Sequence, residues 1–218
     1  MVKGNSSTAV MQRRSLPARG LDFFPTPPWA TRAFLHEVLQ AEFAALGLNS
    51  VWEPAAGAGH MAEVLGEVFP SVHRSDVEDY GTGHAVGSFI GQGPDVIAPI
   101  PVEWIITNPP FNLAVDFAER ALREAKVGVA LLLRTSWMEG GERYERLFRN
   151  RPPRLVAQYC ERVPMVAGRY DPTASVATSY AWFVWHQAHF RKETRLIWIA
   201  PGAKARHLCD ADLKRWAS

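Results

Sequence analysis

The chain has 218 residues, of which 47% are hydrophobic and 11% aromatic, and this composition suits one domain with a sizeable core. The net charge of +2 is too small to indicate a nucleic-acid partner by itself. Cys160 and Cys209 are far apart and match no metal-binding spacing, so we expect free thiols. Because the sequence shows neither a signal-peptide pattern nor a run of about 18 apolar residues, we expect a cytoplasmic protein without a membrane span.

The first predicted element is a flexible basic arm over residues 1–19, which are rich in Ser, Gly and basic side chains. This arm is either a solvated tail or a segment that contacts DNA. Residues 20–218 are predicted to form a single domain. Within it, apolar residues at helical spacing predict a helix over 29–46, and a strand is predicted over 50–53.

A Gly-rich turn follows this strand and leads into a predicted helix over 60–69. A strand, a Gly-rich turn and a helix together predict the first unit of a nucleotide-binding α/β fold. Gly57 and Gly59 permit close approach of the backbone, although a simple tight turn would also explain them. Glu53, at the end of the strand, suits a ligand that carries an ammonium group better than one that carries a pyrophosphate.

A second strand is predicted over 72–76, and it ends in an acid. Asp76 therefore stands where such folds hold a ribose diol, although a helix cap is the competing interpretation. A Gly-rich connection over 81–94 leads to a third predicted strand over 103–107.

The tetrapeptide Asn108-Pro109-Pro110-Phe111 comes directly after that strand. Asn108 offers a carbonyl oxygen, the prolines fix extended geometry and keep their carbonyls as acceptors, and Phe111 offers a face for a planar ring. Two acceptors that hold the hydrogens of a conjugated amine would favour its pyramidal, nucleophilic form. A plain turn after a strand is the competing interpretation.

The remaining elements predict how the sheet is completed. In chain order they are a helix over 114–125, a strand over 127–133, β-like segments over 155–163, 179–186 and 195–199 around a loop over 164–178, and a helix over 210–216. Alternating strands and helices predict an α/β fold with a mostly parallel sheet and helices on both faces. The last third fits a C-terminal antiparallel hairpin that closes the sheet.

Taken together, these motifs resemble the class I S-adenosylmethionine-dependent methyltransferases, and more closely the amino-group DNA methyltransferases that act on adenine N6. The turn over 53–59 is similar to the cofactor loop of that family, and the tetrapeptide over 108–111 to its catalytic motif. The segment over 22–29, Asp-Phe-Phe-Pro-Thr-Pro-Pro-Trp, resembles a third family element that precedes the cofactor loop. The small chain and its Phe-Pro-Thr-Pro-Pro start resemble the solitary methyltransferases of phages and prophages.

The resemblance implies a Rossmann-like fold, S-adenosylmethionine as the cofactor, and no metal. It implies that the cofactor is bound by Pro25, Thr26, Pro27, Glu53, Pro54, Ala55, Gly57, Gly59, Asp76, Phe89 and Asn108. It implies that catalysis depends on Asn108, Pro109, Pro110 and Phe111. Ser88 departs from the family pattern, because an acid that grips the adenine of the cofactor often stands there; Asp95 nearby is the alternative source of that acid.

We expect no separate target-recognition domain, so the choice of target sequence must come from loops or be loose. Candidate nucleic-acid contacts are Arg134, Trp137, Arg143, Arg146, Arg169 and Tyr170. The arginine-rich segment is otherwise an exposed helix face that Glu142 and Glu145 balance, and the Arg169-Tyr170 loop is otherwise an ordinary turn.

These observations predict an enzyme that methylates adenine N6 in DNA, with DNA favoured over RNA as the partner. The same chemistry would serve adenine in RNA, cytosine N4, or the glutamine side chain of a protein. A cofactor-fold module that binds without turnover is the alternative of a different class.

Overall fold

The computed structural model describes residues 23–188 and 193–217; the predicted basic arm lies outside these ranges. The strands are β1 (Ser50–Glu53), β2 (Ser71–Asp76), β3 (Ala85–Val86), β4 (Trp104–Thr107), β5 (Gly128–Arg134), β6 (Leu155–Tyr159), β7 (Tyr180–His186) and β8 (Arg195–Ile199). They form one sheet in the order β3-β2-β1-β4-β5-β7-β6-β8.

Short helices connect and cover these strands. They are α1 (Pro28–Phe34), α2 (Gln40–Phe43), α3 (His60–Leu65), α4 (Ala114–Glu124), α5 (Gly141–Arg143), α6 (Ala203–His207) and α7 (Asp210–Trp216). A π-helical segment over Leu35–Leu39 joins α1 to α2, and another over Tyr144–Phe148 extends α5. The helix predicted over 29–46 is therefore confirmed as one helical stretch of changing pitch.

The sheet is mostly parallel, as predicted. β7 is antiparallel to both of its neighbours, β5 and β6, which confirms the predicted antiparallel closure. β8 differs from that pattern, because it pairs in parallel with β6 at the sheet edge. The reason is that both edges of β7 are already paired, so the chain reverses after β7 and reaches the free edge of β6 in the same direction as β6.

Each face of the sheet carries its own layer of helices and its own apolar core. Along β5, Ala130 and Leu132 join the core beneath α1 and α3, whereas Val129, Leu131 and Leu133 join the core beneath α4. Burial on both sides explains why β5 is an almost continuous apolar run. The predicted α/β fold with helices on both faces is confirmed.

Two elements are shorter than the sequence predicts, and the strand β3 and the helix α6 are new. α3 ends at Leu65 because Gly66, a poor helix former, follows it and the chain continues in turns to Phe69. β6 ends at Tyr159, and the short strand β3 lies inside the predicted Gly-rich connection. Within the described ranges, no helix is both long and apolar enough to cross a membrane.

We expect Gly128→Ala to destabilise the sheet, because β5 and β4 approach too closely there for a side chain. A Cβ atom on Gly128 would lie 2.4 Å from Cζ3 of Trp104 and 2.8 Å from the carbonyl oxygen of Trp185. Overpacking of this kind costs about 1–3 kcal/mol of unfolding free energy, which urea denaturation measures. Gly141→Ala is the matched control, since its Cβ would meet open space. Equal losses for the two variants would contradict this account.

Candidate functional site

A cavity opens at the carboxyl ends of the central parallel strands. Glu53 ends β1, Asp76 ends β2, and Asn108 follows β4, so the topology brings these three polar side chains to one edge of the sheet. Ligands of open α/β sheets bind at this edge. The space bounded by the lining residues, including the part that is open to solvent, is about 840 Å³.

Most of the predicted cofactor residues lie in the cavity wall. They are Pro25, Thr26, Glu53, Pro54, Ala55, Gly57, Asp76, Phe89 and Asn108. Pro27 and Gly59 are not among the lining residues; they stand at the N-caps of α1 and α3, respectively.

The carboxylate of Asp76 ties together the loops that follow β1 and β2. Its Oδ2 accepts a hydrogen bond from the backbone N–H of Gly57 at 2.8 Å, and its Oδ1 accepts one from Glu78 at 3.1 Å. A carboxylate has about four acceptor sites. Asp76 therefore holds the cofactor loop in place and keeps acceptor capacity for ligand hydroxyls.

Gly57 is required by the close approach of Phe23. A Cβ atom on Gly57 would lie 2.5 Å from Cε2 of Phe23, and φ of Gly57 is +51°. The Phe23 ring lies across the loop and contacts Tyr80, with the ring centroids 4.9 Å apart. Phe23 and Tyr80 both line the cavity, although the sequence analysis assigned neither of them to the site.

Glu53 is a buried acid whose charge is not neutralised by the described residues. It is only 2% exposed, and its Oε2 has no hydrogen-bond partner among them. Burial, reinforced by the nearby carboxylate of Asp76, raises the pKa of Glu53 well above its usual range. A ligand ammonium at Oε2 would satisfy this oxygen and favour its ionised form, so the donor set fits the amino-acid end of the implied cofactor.

The other end of the cavity is apolar. Ile90, Leu113 and Phe117 line it, and Phe89 packs edge-on against Trp52 with the ring centroids 5.0 Å apart. These side chains suit a planar ring that is held by contact area.

The adenine-binding acid of the family has no equivalent in this wall. The Ser88 hydroxyl is engaged locally, because it donates to the Ile90 carbonyl at 2.6 Å and accepts from the Ile90 N–H at 3.2 Å. Asp95 is exposed and does not line the cavity.

The side chain of Asn108 has one fixed orientation. Its amide nitrogen donates to the Phe24 carbonyl at 3.0 Å and to Thr26 Oγ1 at 3.1 Å, and it lies 3.5 Å from Met165 Sδ. Only the NH₂ group can donate to a carbonyl, so the network assigns the amide unambiguously. The remaining atom, Oδ1, is buried and has no partner in the described chain. It is an acceptor available to a ligand.

The prolines and Phe111 surround this acceptor. The Pro110 carbonyl accepts from the Leu113 N–H at 3.0 Å and so is used within the chain. Half-buried Phe111 lies in an aromatic group, with ring centroids 5.7 Å from Phe24 and 6.1 Å from Tyr180.

Most of the predicted nucleic-acid contacts are engaged within the protein. Trp137 is 7% exposed and packs edge-on against Phe183 in the core beneath α4, 5.1 Å between ring centroids. Tyr170 is 2% exposed and contacts the ring of His60. Burial of both rings removes them from the surface that a nucleic acid could reach.

The arginines of the segment after β5 are balanced by acids. Arg146 bonds to Asp116 at 2.7 Å and to Glu119 and Glu142 at 2.8 Å each, which agrees with the interpretation of a charge-balanced helix face. Arg143 donates to the Glu139 carbonyl. In the other loop, Arg169 lies 3.3 Å from Asp171.

From its place directly after the Gly-rich turn, His60 is a candidate pocket-lining residue, whereas no motif marked Met165. His60 lines the cavity beneath the Trp216 ring, 4.1 Å between centroids, and burial lowers the pKa of His60 to about 4. The imidazole is therefore neutral at physiological pH. Met165 contacts Asn108 from a distant loop, so no local pattern could reveal it.

Comparison with known proteins identifies the fold. No protein-family model matches the sequence, and no curated protein sequence matches it. Among solved structures, the methyltransferase subunit of a type I restriction-modification system from Streptococcus thermophilus has a TM-score of 0.59 and 9% identity, over 88% of this chain and 52% of that one. The chain thus spans about half the length of that subunit.

Two further structures share this fold. A protein from Listeria monocytogenes, assigned as a class I S-adenosylmethionine-dependent methyltransferase, has a TM-score of 0.52 and 16% identity, over 88% of this chain and 72% of that one. A protein from Pyrococcus horikoshii, assigned as an RNA methyltransferase, has a TM-score of 0.52 and 13% identity, over 79% of this chain and 90% of that one. The chain has the Rossmann-like methyltransferase fold.

We expect Glu53→Gln to stabilise the protein at neutral and alkaline pH. Because the pKa of Glu53 is raised on folding, its contribution to stability is full below the unfolded value of 4.5 and is lost as pH rises through the folded value. The glutamine side chain stays neutral at every pH. Near pH 8 the melting temperature of the variant should therefore exceed that of the wild type, by about 2–4 °C for each kcal/mol gained in unfolding free energy, and the difference should shrink toward pH 5. Exposed Glu139→Gln is the control. A gain independent of pH would contradict the assigned pKa shift.

Proposed function

We propose that the protein transfers a methyl group from S-adenosylmethionine to the exocyclic N6 amine of adenine in DNA. The observation that carries this proposal is the fixed amide of Asn108, whose buried Oδ1 has no partner in the described chain. An unpaired buried acceptor is costly, and a ligand amine would satisfy it. Asn108 lies in the wall of a cavity whose polar side chains suit a ligand that joins an amino acid to a nucleoside.

The cofactor would be held by residues at both ends of the cavity. Glu53 would bind its ammonium, and Asp76 its ribose hydroxyls. Thr26 accepts from Asn108 and so keeps its own hydroxyl hydrogen to donate to the carboxylate. Ile90, Leu113 and Phe117 would pack on the adenine ring. When bound, the cofactor supplies an electrophilic methyl group on a sulfonium sulfur. The rest of the cofactor is the leaving group, a neutral thioether.

The residues of the tetrapeptide would prepare the target amine. Asn108 Oδ1 and the Pro109 carbonyl would accept its two hydrogens and favour a pyramidal nitrogen, whose lone pair then attacks the methyl carbon in line. The C–N bond forms as the C–S bond breaks, and the amine proton passes to water. The chain contributes proximity and orientation, and no group of shifted pKa is needed as a base.

A nucleic-acid base is the substrate class that the surroundings of Asn108 favour. Phe111 offers a half-buried ring beside it for stacking, as single-stranded nucleic-acid sites do. A duplex target would have to leave the helix stack to reach this ring. DNA is the preferred polymer, because a similar structure is the methyltransferase subunit of a restriction-modification system. The similar protein assigned as an RNA methyltransferase makes RNA the substrate to test in parallel.

We expect Asn108→Ala to lower methyl transfer far more than it lowers cofactor affinity, because the lost acceptor serves the target amine while the rest of the cavity wall stays in place. Removal of one preorganised hydrogen-bonding group lowers a rate by about 10²–10³-fold. The measurement is mass spectrometry of nucleosides after incubation of unmethylated DNA, and of RNA in parallel, with S-adenosylmethionine. Calorimetry would measure cofactor affinity, and Gly141→Ala is the control variant.

Each outcome of that experiment has a defined meaning. N6-methyladenine in DNA that depends on Asn108 would support the proposal, whereas methylation of RNA alone would change the substrate and keep the chemistry. Cofactor binding with no methylated base in either polymer would overturn the proposal, and would favour a protein glutamine substrate or a binding module.

A further inference from the structure

We infer that Arg134 binds the phosphate of the target nucleotide while it packs on Phe111, so that base and phosphate are recognised at adjoining positions. This inference rests on the proposed function and specifies its substrate side. It selects a nucleotide over the uncharged side chain of glutamine as the substrate for which the site is built.

The position of Arg134 is fixed by the sheet. It is the last residue of β5, which pairs in parallel with β4, so it stands at the same edge of the sheet as Asn108. Its guanidinium carbon lies 4.4 Å from the centroid of the Phe111 ring. Arg134 also pairs in register with Tyr180, whose ring belongs to the same aromatic group.

The guanidinium of Arg134 differs from its neighbours in having no hydrogen-bond acceptor. In the part of the chain that the structure describes, its side chain makes no hydrogen bond and no ion pair, and its Nε is buried without a partner. Arg146, by contrast, is bonded to three carboxylates. Contact with an aromatic ring stabilises a cation but leaves its N–H donors unsatisfied. These donors are available to an acceptor outside the described chain, and a phosphate suits the planar fork of a guanidinium.

The anion belongs to the substrate and not to the cofactor. Arg134 does not line the cofactor cavity, where Thr26 and Glu53 stand at the amino-acid end. It stands instead on the side of Asn108 that holds Phe111. A base that stacks on Phe111 carries its phosphate one sugar away, whereas a glutamine side chain brings no anion.

The test measures binding of an adenine-containing oligodeoxynucleotide at several salt concentrations, with saturating S-adenosylhomocysteine so that turnover plays no part. We expect Arg134→Gln to weaken binding by about tenfold, the loss of one charge-assisted hydrogen bond. The slope of log affinity against log salt should fall in magnitude by about one. Arg134→Lys keeps the charge and should restore the slope. Arg195→Gln, which removes an ion-paired arginine at the opposite edge of the sheet, is the matched control and should leave the slope unchanged.

A second measurement separates the phosphate of the target nucleotide from other phosphates. Deoxyadenosine 5′-monophosphate should compete with the oligonucleotide better than deoxyadenosine does, and Arg134→Gln should remove that advantage. An unchanged salt slope in Arg134→Gln, or a loss of transfer rate without a loss of slope, would overturn the phosphate contact. Absence of methylation by the wild-type protein is a separate result, which would count against the proposed function and not against the binding data.

Discussion

The side-chain amide of Asn108 is the interaction on which the site depends. Its two hydrogen bonds, to the Phe24 carbonyl and to Thr26, attach the segment before α1 to the end of β4. With that segment held, Phe23 lies across the glycine of the cofactor loop. The same two bonds commit the NH₂ group and leave only the oxygen for a ligand. One amide therefore shapes the cavity wall and sets the chemistry of the acceptor beside it.

Three of the buried polar atoms that lack a partner in the described chain belong to the proposed cofactor and substrate sites. They are Oε2 of Glu53, Oδ1 of Asn108 and Nε of Arg134. Folding leaves each of them without the hydrogen bond that water would have supplied, which lowers stability. In the proposed complex an ammonium, an amine and a phosphate would satisfy them in that order. Stability given up in the free protein is thus recovered as affinity for ligands.

The sequence predicts the parts of the site that lie at strand ends and misses those that depend on distant packing. Glu53 and Asp76 each end a strand and Asn108 follows one, and parallel strands bring such ends together. The ion pairs of Arg146 could not be predicted in full from the sequence. Two of its partners, Asp116 and Glu119, lie on α4, and the whole of β5 separates α4 from Arg146 in the chain. An aromatic residue after a strand, such as Trp137, has the same local pattern whether it turns to solvent or to the core. The sheet could be predicted because strands that alternate with helices have few possible arrangements in a parallel sheet.

The placement of β7 between β5 and β6 sets an order of assembly. Every described residue that lines the cavity lies between Phe23 and Phe117, so all of them are synthesised before β6. The substrate side must wait for Met165 and Tyr180. Until β7 inserts, β5 and β6 each present an unpaired apolar edge, the kind of surface on which chains aggregate. A ribosome that pauses between β6 and β7 therefore holds a chain whose sheet ends at β5 and whose His60 still lacks its contacts with Tyr170 and Trp216.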